Sequence, residues 1–342
     1  MKIHIARATL FLFCLVQLSC STSSSEEQKI QKLNSVETFS DLSDLKDEDS
    51  VVMAKIREIE DSNDPALDQE NKVEVMNAQD KILIVGDSWG SFPCLYHSMS
   101  KMIKDVNAKI IEDTRCLRTT KLGVEASEWM GSEQDQRVVR FLKNTPRIKY
   151  LYLSLGGNDM MRHWNKDFTP EQENKLFSQT FNTIQKIMNN YLNTRPDLKI
   201  ILSGYDFPHF KPNLKISLYR KIFERMGSPT DQRINRCLVD FAKFMVPISN
   251  QNNIFYIHHL GLAQYYDGVV EQNYPARGTV APNFISPIDD PGAIGGDLNL
   301  PSSETSMINW LFLVHDAFHL NARMYRNVMH HTYDNVLSRI IQ

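Results

Sequence analysis

Apolar and polar positions along the chain fall into two alternating rhythms. Five short apolar runs are bounded by turn-forming residues: Ile82–Val85, Ala108–Glu112, Ile148–Leu155, Lys199–Leu202 and Ile254–Ile257. Their Ile, Val, Leu and Tyr content reads as buried strands. Between them the apolar period lengthens to that of a helix. Phe92–Val106 and Gln136–Lys143 are expected helices. Thr169-Pro170-Glu171-Gln172 is a helix start, with a Thr cap, Pro in the first turn and Gln three residues after the cap. The helix it opens carries Phe177, Phe181, Ile184, Met188 and Tyr191, an apolar stripe facing a sheet. Ile234, Leu238, Phe241 and Met245 mark another helix. Asn321–Ile340 is expected to be the last, with Tyr325, Met329, Tyr333, Val336 and Ile340 on one side. Strands alternating with helices of this length imply a parallel sheet covered on both faces.

Two stretches break the rhythm. Residues 21–78 are acidic and poor in aromatic side chains, which predicts a disordered linker with a helical turn or two over Val51–Ile59. Residues 260–306 are rich in Gly, Pro, Asp and Asn and are expected to be an irregular insertion. They form either a wall of a substrate site or a plain surface excursion. The folded domain is therefore expected to span 79–342.

With 342 residues, 42% of them hydrophobic, the chain is long enough for a sizeable core. Its net charge of −3 hides a split. Residues 21–80 hold 16 acidic and 6 basic side chains, so the remainder is mildly basic. That remainder has no dense Lys/Arg run, and no nucleic-acid partner is expected. Lys2 and Arg7 precede an apolar segment, Ala8–Leu18, and small residues follow, which is the pattern of an export signal over 1–20. Leu18-Ser19-Cys20 resembles a bacterial lipoprotein signal, in which Cys20 would be lipidated and tether the protein to a membrane. Gln17 departs from that pattern, and ordinary cleavage and secretion is the alternative. Beyond Cys14 and Cys20, the chain has Cys94, Cys116 and Cys237, an odd count for an oxidising compartment. Cys94–Cys116 is one candidate bridge and three separate thiols the other reading. None has zinc-site spacing, and no metal is expected.

The chemistry gathers around Gly86-Asp87-Ser88-Trp89-Gly90, where the first strand ends. A serine at a strand's carboxyl end lies where open α/β sheets bind ligands. It needs a base, a group to orient the base, and donors for an oxyanion. Asp316-Ala-Phe-His319, expected at a loop-to-helix junction, offers His319 as base and Asp316 as its orienter. Gly156-Gly157-Asn158-Asp159 puts the Asn158 amide at the same sheet edge. Gly123 has no side chain to keep its N–H from a ligand. Asp87 reads as a turn-stabilising acceptor, and Asp159 as a local cap or a site residue. Trp89, His163, Trp164 and Phe207 are candidate substrate contacts, as are His209 and Phe210. His258-His259 read as core and surface neighbours rather than metal ligands.

Taken in order, Gly86-Asp87-Ser88, Gly123, Gly157-Asn158-Asp159 and Asp316-x-x-His319 resemble the SGNH hydrolase superfamily, the GDSL-type esterases and lipases. The similarity runs from Lys81 to the end. It implies a flavodoxin-like three-layer α/β/α sandwich with a central parallel sheet of about five strands. It also implies Ser88 as nucleophile, His319 and Asp316 as base and orienter, and an oxyanion hole from the Ser88 N–H, Gly123 and Asn158. No cofactor is implied. Trp89 stands where the family more often has Leu, and the stretch before Asp316 is longer than in compact members. Gly-x-Ser-x-Gly also fits the nucleophile elbow of α/β-hydrolases. That fold needs strands before the serine and a wide acid–histidine separation, and neither is found here. The expected function is exported ester hydrolysis on a lipid, an acylated glycan or a small ester, in the cell envelope or secreted. The alternatives are an O-acyltransferase on envelope glycans and an envelope binding protein with an idle site.

Overall fold

The computed structural model describes residues 58, 59, 62, 68, 69, 79–249, 253–269, 294–310 and 314–341. The export signal with Cys20, most of 21–78 and the middle of the 260–306 insertion lie outside the described residues.

Five parallel strands form the central sheet in the order β2-β1-β3-β4-β5. They are β1 (Asp80–Gly86), β2 (Ile110–Glu112), β3 (Ile148–Ser154), β4 (Lys199–Ser203) and β5 (Ile254–Ile257). Ile82–Val85 are all fully buried, so both faces of β1 are covered, as a continuous apolar run requires. One helical layer packs α1 (Ser88–Leu95) and α2 (Ser98–Val106) against α10 (Ala322–Thr332). The other gathers α3 (Ala126–Trp129), α4 (Glu133–Asn144) and α8 (Asp231–Met245) around α6 (Pro170–Thr194). Between these come α5 (Gly157–His163), α7 (Ser217–Arg225) and α9 (Leu262–Asp267). This is the flavodoxin-like sandwich, whose strand order reverses between β1 and β3.

Several local expectations are met and others corrected. The Thr169 capping box forms, with Gln172 as its return partner. Phe177, Ile184, Met188 and Tyr191 are buried on that helix, while Phe181 is only partly covered. The single helix expected over Phe92–Val106 is instead two. Pro93 has no N–H for the helical ladder, and the chain enters the left-handed region at His97 (φ 52°) before α2 begins. The last helix widens into a π-turn at Tyr333–Leu337 before Ser338–Ile340. Cys94 and Cys116 are disulfide-bonded, which ties α1 to the segment after β2.

Asp316–His319 is not at a loop-to-helix junction. It lies in β7 (Val314–Leu320), antiparallel to β6 (Met307–Trp310). The ladder pairs Asn309 with His315 but Met307 with Leu320, so residues 316–319 bulge out of it.

Five residues of the acidic 21–78 stretch are described, and three of them meet buried arginines of the body. Arg118 and Arg137 are almost wholly buried. Arg118 donates to the carbonyls of Ile59 and Ser62 and pairs with the Asp68 carboxylate at 3.0 Å, and Arg137 donates to Ser62 O at 2.7 Å. At these residues the segment is held by the body, because buried guanidinium groups need acceptors. A chain beginning at residue 79 is therefore expected to unfold at lower urea than one beginning at residue 55. The loss should be about 1–3 kcal/mol for each arginine deprived of acceptors. Equal midpoints and slopes would show that these contacts carry no stability.

Candidate active site

The site begins with a close backbone approach. Gly86 has φ +127°, and a Cβ there would sit 1.9 Å from Ser154 O. No other residue fits, and the tight passage turns the chain sharply out of β1. Asp87 N then donates to Ser154 O at 2.9 Å, and the Asp87 carboxylate caps α1 by accepting the Trp89 N–H at 2.9 Å. Tyr205 O–H donates to the other Asp87 oxygen. Burial pushes the Asp87 carboxyl up to about 7 despite these bonds. Asp87 is thus fully engaged in shaping the turn, and Ser88 follows as the first residue of α1.

The bulge in β7 supplies the opposite side. Its freed N–H groups, from Phe318 and His319, both donate to Asp316 Oδ1, at 2.7 and 2.9 Å. Asp316 Oδ2 faces His319 Nδ1 at 2.9 Å, and His319 Nε2 faces Ser88 Oγ at 2.8 Å. All three side chains are buried. Burial acts to raise the Asp316 carboxyl, but His319 and the two N–H groups outweigh it and hold it below its usual range. The His319 ring packs on Phe92, 4.7 Å between centroids.

Asn158 stands in the first turn of α5, after β3. One N–H of its amide donates to Val124 O at 3.0 Å, which fixes the side chain. Gly123, next to Val124 in the loop before α3, adopts φ +71°, and its carbonyl accepts from Arg162 at 2.7 Å. It is not among the cleft-lining residues. Asp159 accepts the Ala126 N–H at 3.0 Å and so caps α3.

A narrow cleft opens beside Ser88. Its empty volume is ≈ 570 Å³ including the mouth. Ser88, Trp89, Asn158, Trp164 and His319 line it. Trp164 donates to Glu173 at 2.6 Å, and the Arg233 guanidinium lies 4.8 Å over its ring. His163 does not join them. Positions 157, 160, 161 and 164 of the helix face this cleft. Positions 159 and 163 face another, more open one, where His163 Nε2 meets Glu125 at 2.8 Å. Phe207 is buried outside the lining, and the loop after β4 contributes Tyr205, Asp206 and Pro208 instead. His209 and Phe210 are also buried outside it, Phe210 against Phe318. Sequence reasoning missed these three, together with Met160, Met161, Met226, Ile234, Cys237, Leu238 and Phe318. Phe318 was within reach, because it lies between Asp316 and His319. The apolar stripe of α8 marks a helix in the sequence, with no local sign that part of it lines a cleft.

Behind Trp89 lies a buried polar chain. Tyr152 Oη and Ser203 Oγ are 2.7 Å apart, Ser203 Oγ and His259 Nε2 3.0 Å, and the Nδ1 atoms of His259 and His331 3.2 Å. The last pair bonds only when one ring lends a proton and the other a lone pair. His258 and His259 are both buried, so neither is a surface neighbour. Burial pushes both down to about 3, with His258 adding to the effect on His259, and pushes His331 well below its usual range.

No family model and no curated protein matches the chain. Solved structures do. A lipopolysaccharide acetyltransferase periplasmic domain from Salmonella ser. Paratyphi A is 13% identical, with a TM-score of 0.40, over 85% of this chain and 97% of that one. A carbohydrate esterase family 3 protein from Talaromyces cellulolyticus is 11% identical, with a TM-score of 0.38, over 77% and 98%. A lipolytic protein of the G-D-S-L family from Veillonella parvula DSM 2008 is 11% identical, with a TM-score of 0.37, over 76% and 99%.

The histidine cluster sets a pH dependence with a definite sign. An unfolded histidine takes up a proton below about 6.5, and these three resist it when folded. Stability they contribute is present above pH 6.5 and lost as pH falls towards 3. Asp87 and Asp206, both pushed up to about 7 by burial, act in the opposite sense between about pH 4 and 7. A difference measurement isolates the histidines. His331→Asn should flatten the loss of unfolding free energy between pH 6.5 and 4.5 by up to ~1.4 kcal/mol per pH unit. Urea titrations at both pH values read this, and parallel curves for variant and parent would contradict it.

Proposed function

We propose that residues 79–342 form a serine ester hydrolase working through an acyl-enzyme on Ser88. The observation that carries the reading is the continuous line Asp316 Oδ2, His319 Nδ1, His319 Nε2, Ser88 Oγ, with steps of 2.9 and 2.8 Å at the two hydrogen bonds. In this reading Ser88 Oγ attacks the ester carbonyl carbon while its proton passes to His319 Nε2. Asp316 accepts from Nδ1–H, so the ring keeps the tautomer that leaves Nε2 free to act as base. The carbonyl oxygen becomes an oxyanion and is held by the Ser88 N–H and the remaining Asn158 N–H. The carbon–oxygen bond to the alcohol then breaks, and His319 returns the proton to the departing oxygen. Water repeats the cycle on the acyl-enzyme, releasing the acid and restoring Ser88.

Export follows from Lys2, Arg7 and the Ala8–Leu18 segment, with Cys20 as the site of a membrane tether. The Cys94–Cys116 disulfide suits an oxidising compartment. Among the described residues, no helix is long and apolar enough to cross a membrane.

The test is hydrolysis of p-nitrophenyl acetate by the parent protein and two variants. Ser88→Ala should lower turnover by ~10⁴-fold or more. Asn158→Ala should lower it ~10²- to 10³-fold by removing one oxyanion donor. Unchanged turnover in Ser88→Ala would remove it as nucleophile. Labelling of Ser88 by a fluorophosphonate without hydrolysis would shift the acyl group's destination from water to another hydroxyl.

A further inference from the structure

The cleft beside Ser88 has one unusual property, which is how little of its wall can bond to a polar ligand. Away from the Ser88–Asn158–His319 cluster its sides are Met160, Trp164, Met226, Ile234, Cys237 and Leu238. Three other polar side chains line it, Asp87, Tyr205 and Asp206, and all are already spent. Asp87 accepts the Trp89 N–H at 2.9 Å. Tyr205 O–H donates to Asp87. The Asp206 carboxylate accepts the N–H groups of Phe207, Gly261 and Ala263, at 2.7, 2.6 and 2.7 Å. A sugar hydroxyl entering here would give up its water partners with no replacement, which is unfavourable. A hydrocarbon chain would give up nothing. Methionine side chains can adjust to such a chain.

Resting on the ester-hydrolase reading, we infer that this cleft is an acyl-chain chamber for straight-chain acyl groups longer than acetyl, with Cys237 and its helix neighbours as the gauge of chain length. Ile234, Cys237 and Leu238 fall at i, i+3 and i+4 on α8, so they present one continuous strip to the cleft. Cys237 is the smallest of the three. Its thiol is unbonded to another cysteine and buried, and burial raises it well above its usual range, so it is a small apolar wall rather than a reactive group. A larger side chain at this position fills the chamber and shortens the chain it admits.

The experiment measures kcat/KM for p-nitrophenyl esters from acetate to dodecanoate, and for acetate esters of alcohols of the same lengths. In the parent, kcat/KM should rise about fourfold per added acyl methylene over the first several, as expected for a CH₂ leaving water. Lengthening the alcohol should bring no such gain. Cys237→Phe should lower the octanoate-to-acetate ratio at least ~10-fold. Leu238→Ala should move the preferred chain length upwards, and it provides the test if Cys237→Phe fails to fold by circular dichroism. A flat acyl series with Ser88-dependent acetate turnover overturns the chamber while leaving the hydrolase intact. A gain in the alcohol series gives the chamber to the alcohol half and also overturns the inference. Ratios unmoved in both folded variants remove Cys237 and α8 as the gauge. Absence of Ser88-dependent turnover on every ester is a different failure, that of the hydrolase reading itself.

Discussion

The geometry of the site depends on a contact in which no functional group takes part. Gly86 lies so close to the backbone of Ser154 that a single added carbon would be driven to within 1.9 Å of the carbonyl oxygen. This approach is made where β1 and β3 end side by side, at the point where the strand order reverses. Asp87 N bonds to the same carbonyl, and the Asp87 side chain caps the helix that follows. Ser88 is thus placed by backbone, not by packing of its own side chain. Asn158 belongs to the neighbouring strand end, so the two meet across the crevice by topology.

His319 and Asp316 arrive by different means. A regular strand would send residues three apart to opposite faces. The bulge in β7 removes that constraint, and it also frees two N–H groups that would otherwise seek a ladder partner. Asp316 takes both and still has an oxygen for His319. A buried carboxylate is costly unless it is well bonded, and here each of its oxygens is engaged.

What could be read from the chain alone follows what short-range patterns encode. The five strands, the Thr169 cap and the stripe on α6 are local signals, and each appears where the pattern places it. The break at His97 was hidden because Phe92–Val106 keeps an apolar period through it, and Pro93 tolerates one more turn before the helix stops. The bulge at 316–319 is a property of a strand pair and not of one segment. His163 and Trp164 look alike in sequence, yet a rotation of about 100° per helical residue sends them to different clefts. The strip Ile234, Cys237, Leu238 has the spacing of any buried helix face. Only the elements around it, α5 among them, make part of that face a cleft wall. The contacts of Ile59 and Ser62 were obscured for the opposite reason, since an acidic, polar stretch gives no sign that buried arginines will need its carbonyls.

The seven residues of α5 separate two spaces of different character. On one side lies the narrow cleft with Asn158 and Trp164, on the other an open polar one edged by Asp159 and His163. The partition is a single helix thick, about 10 Å. Its two faces share one rigid backbone, so a tilt or twist imposed at the polar face displaces the amide and the indole together. The spacing between the Asn158 amide and the Trp164 indole, which follows the last residue of α5, is therefore carried by one short segment.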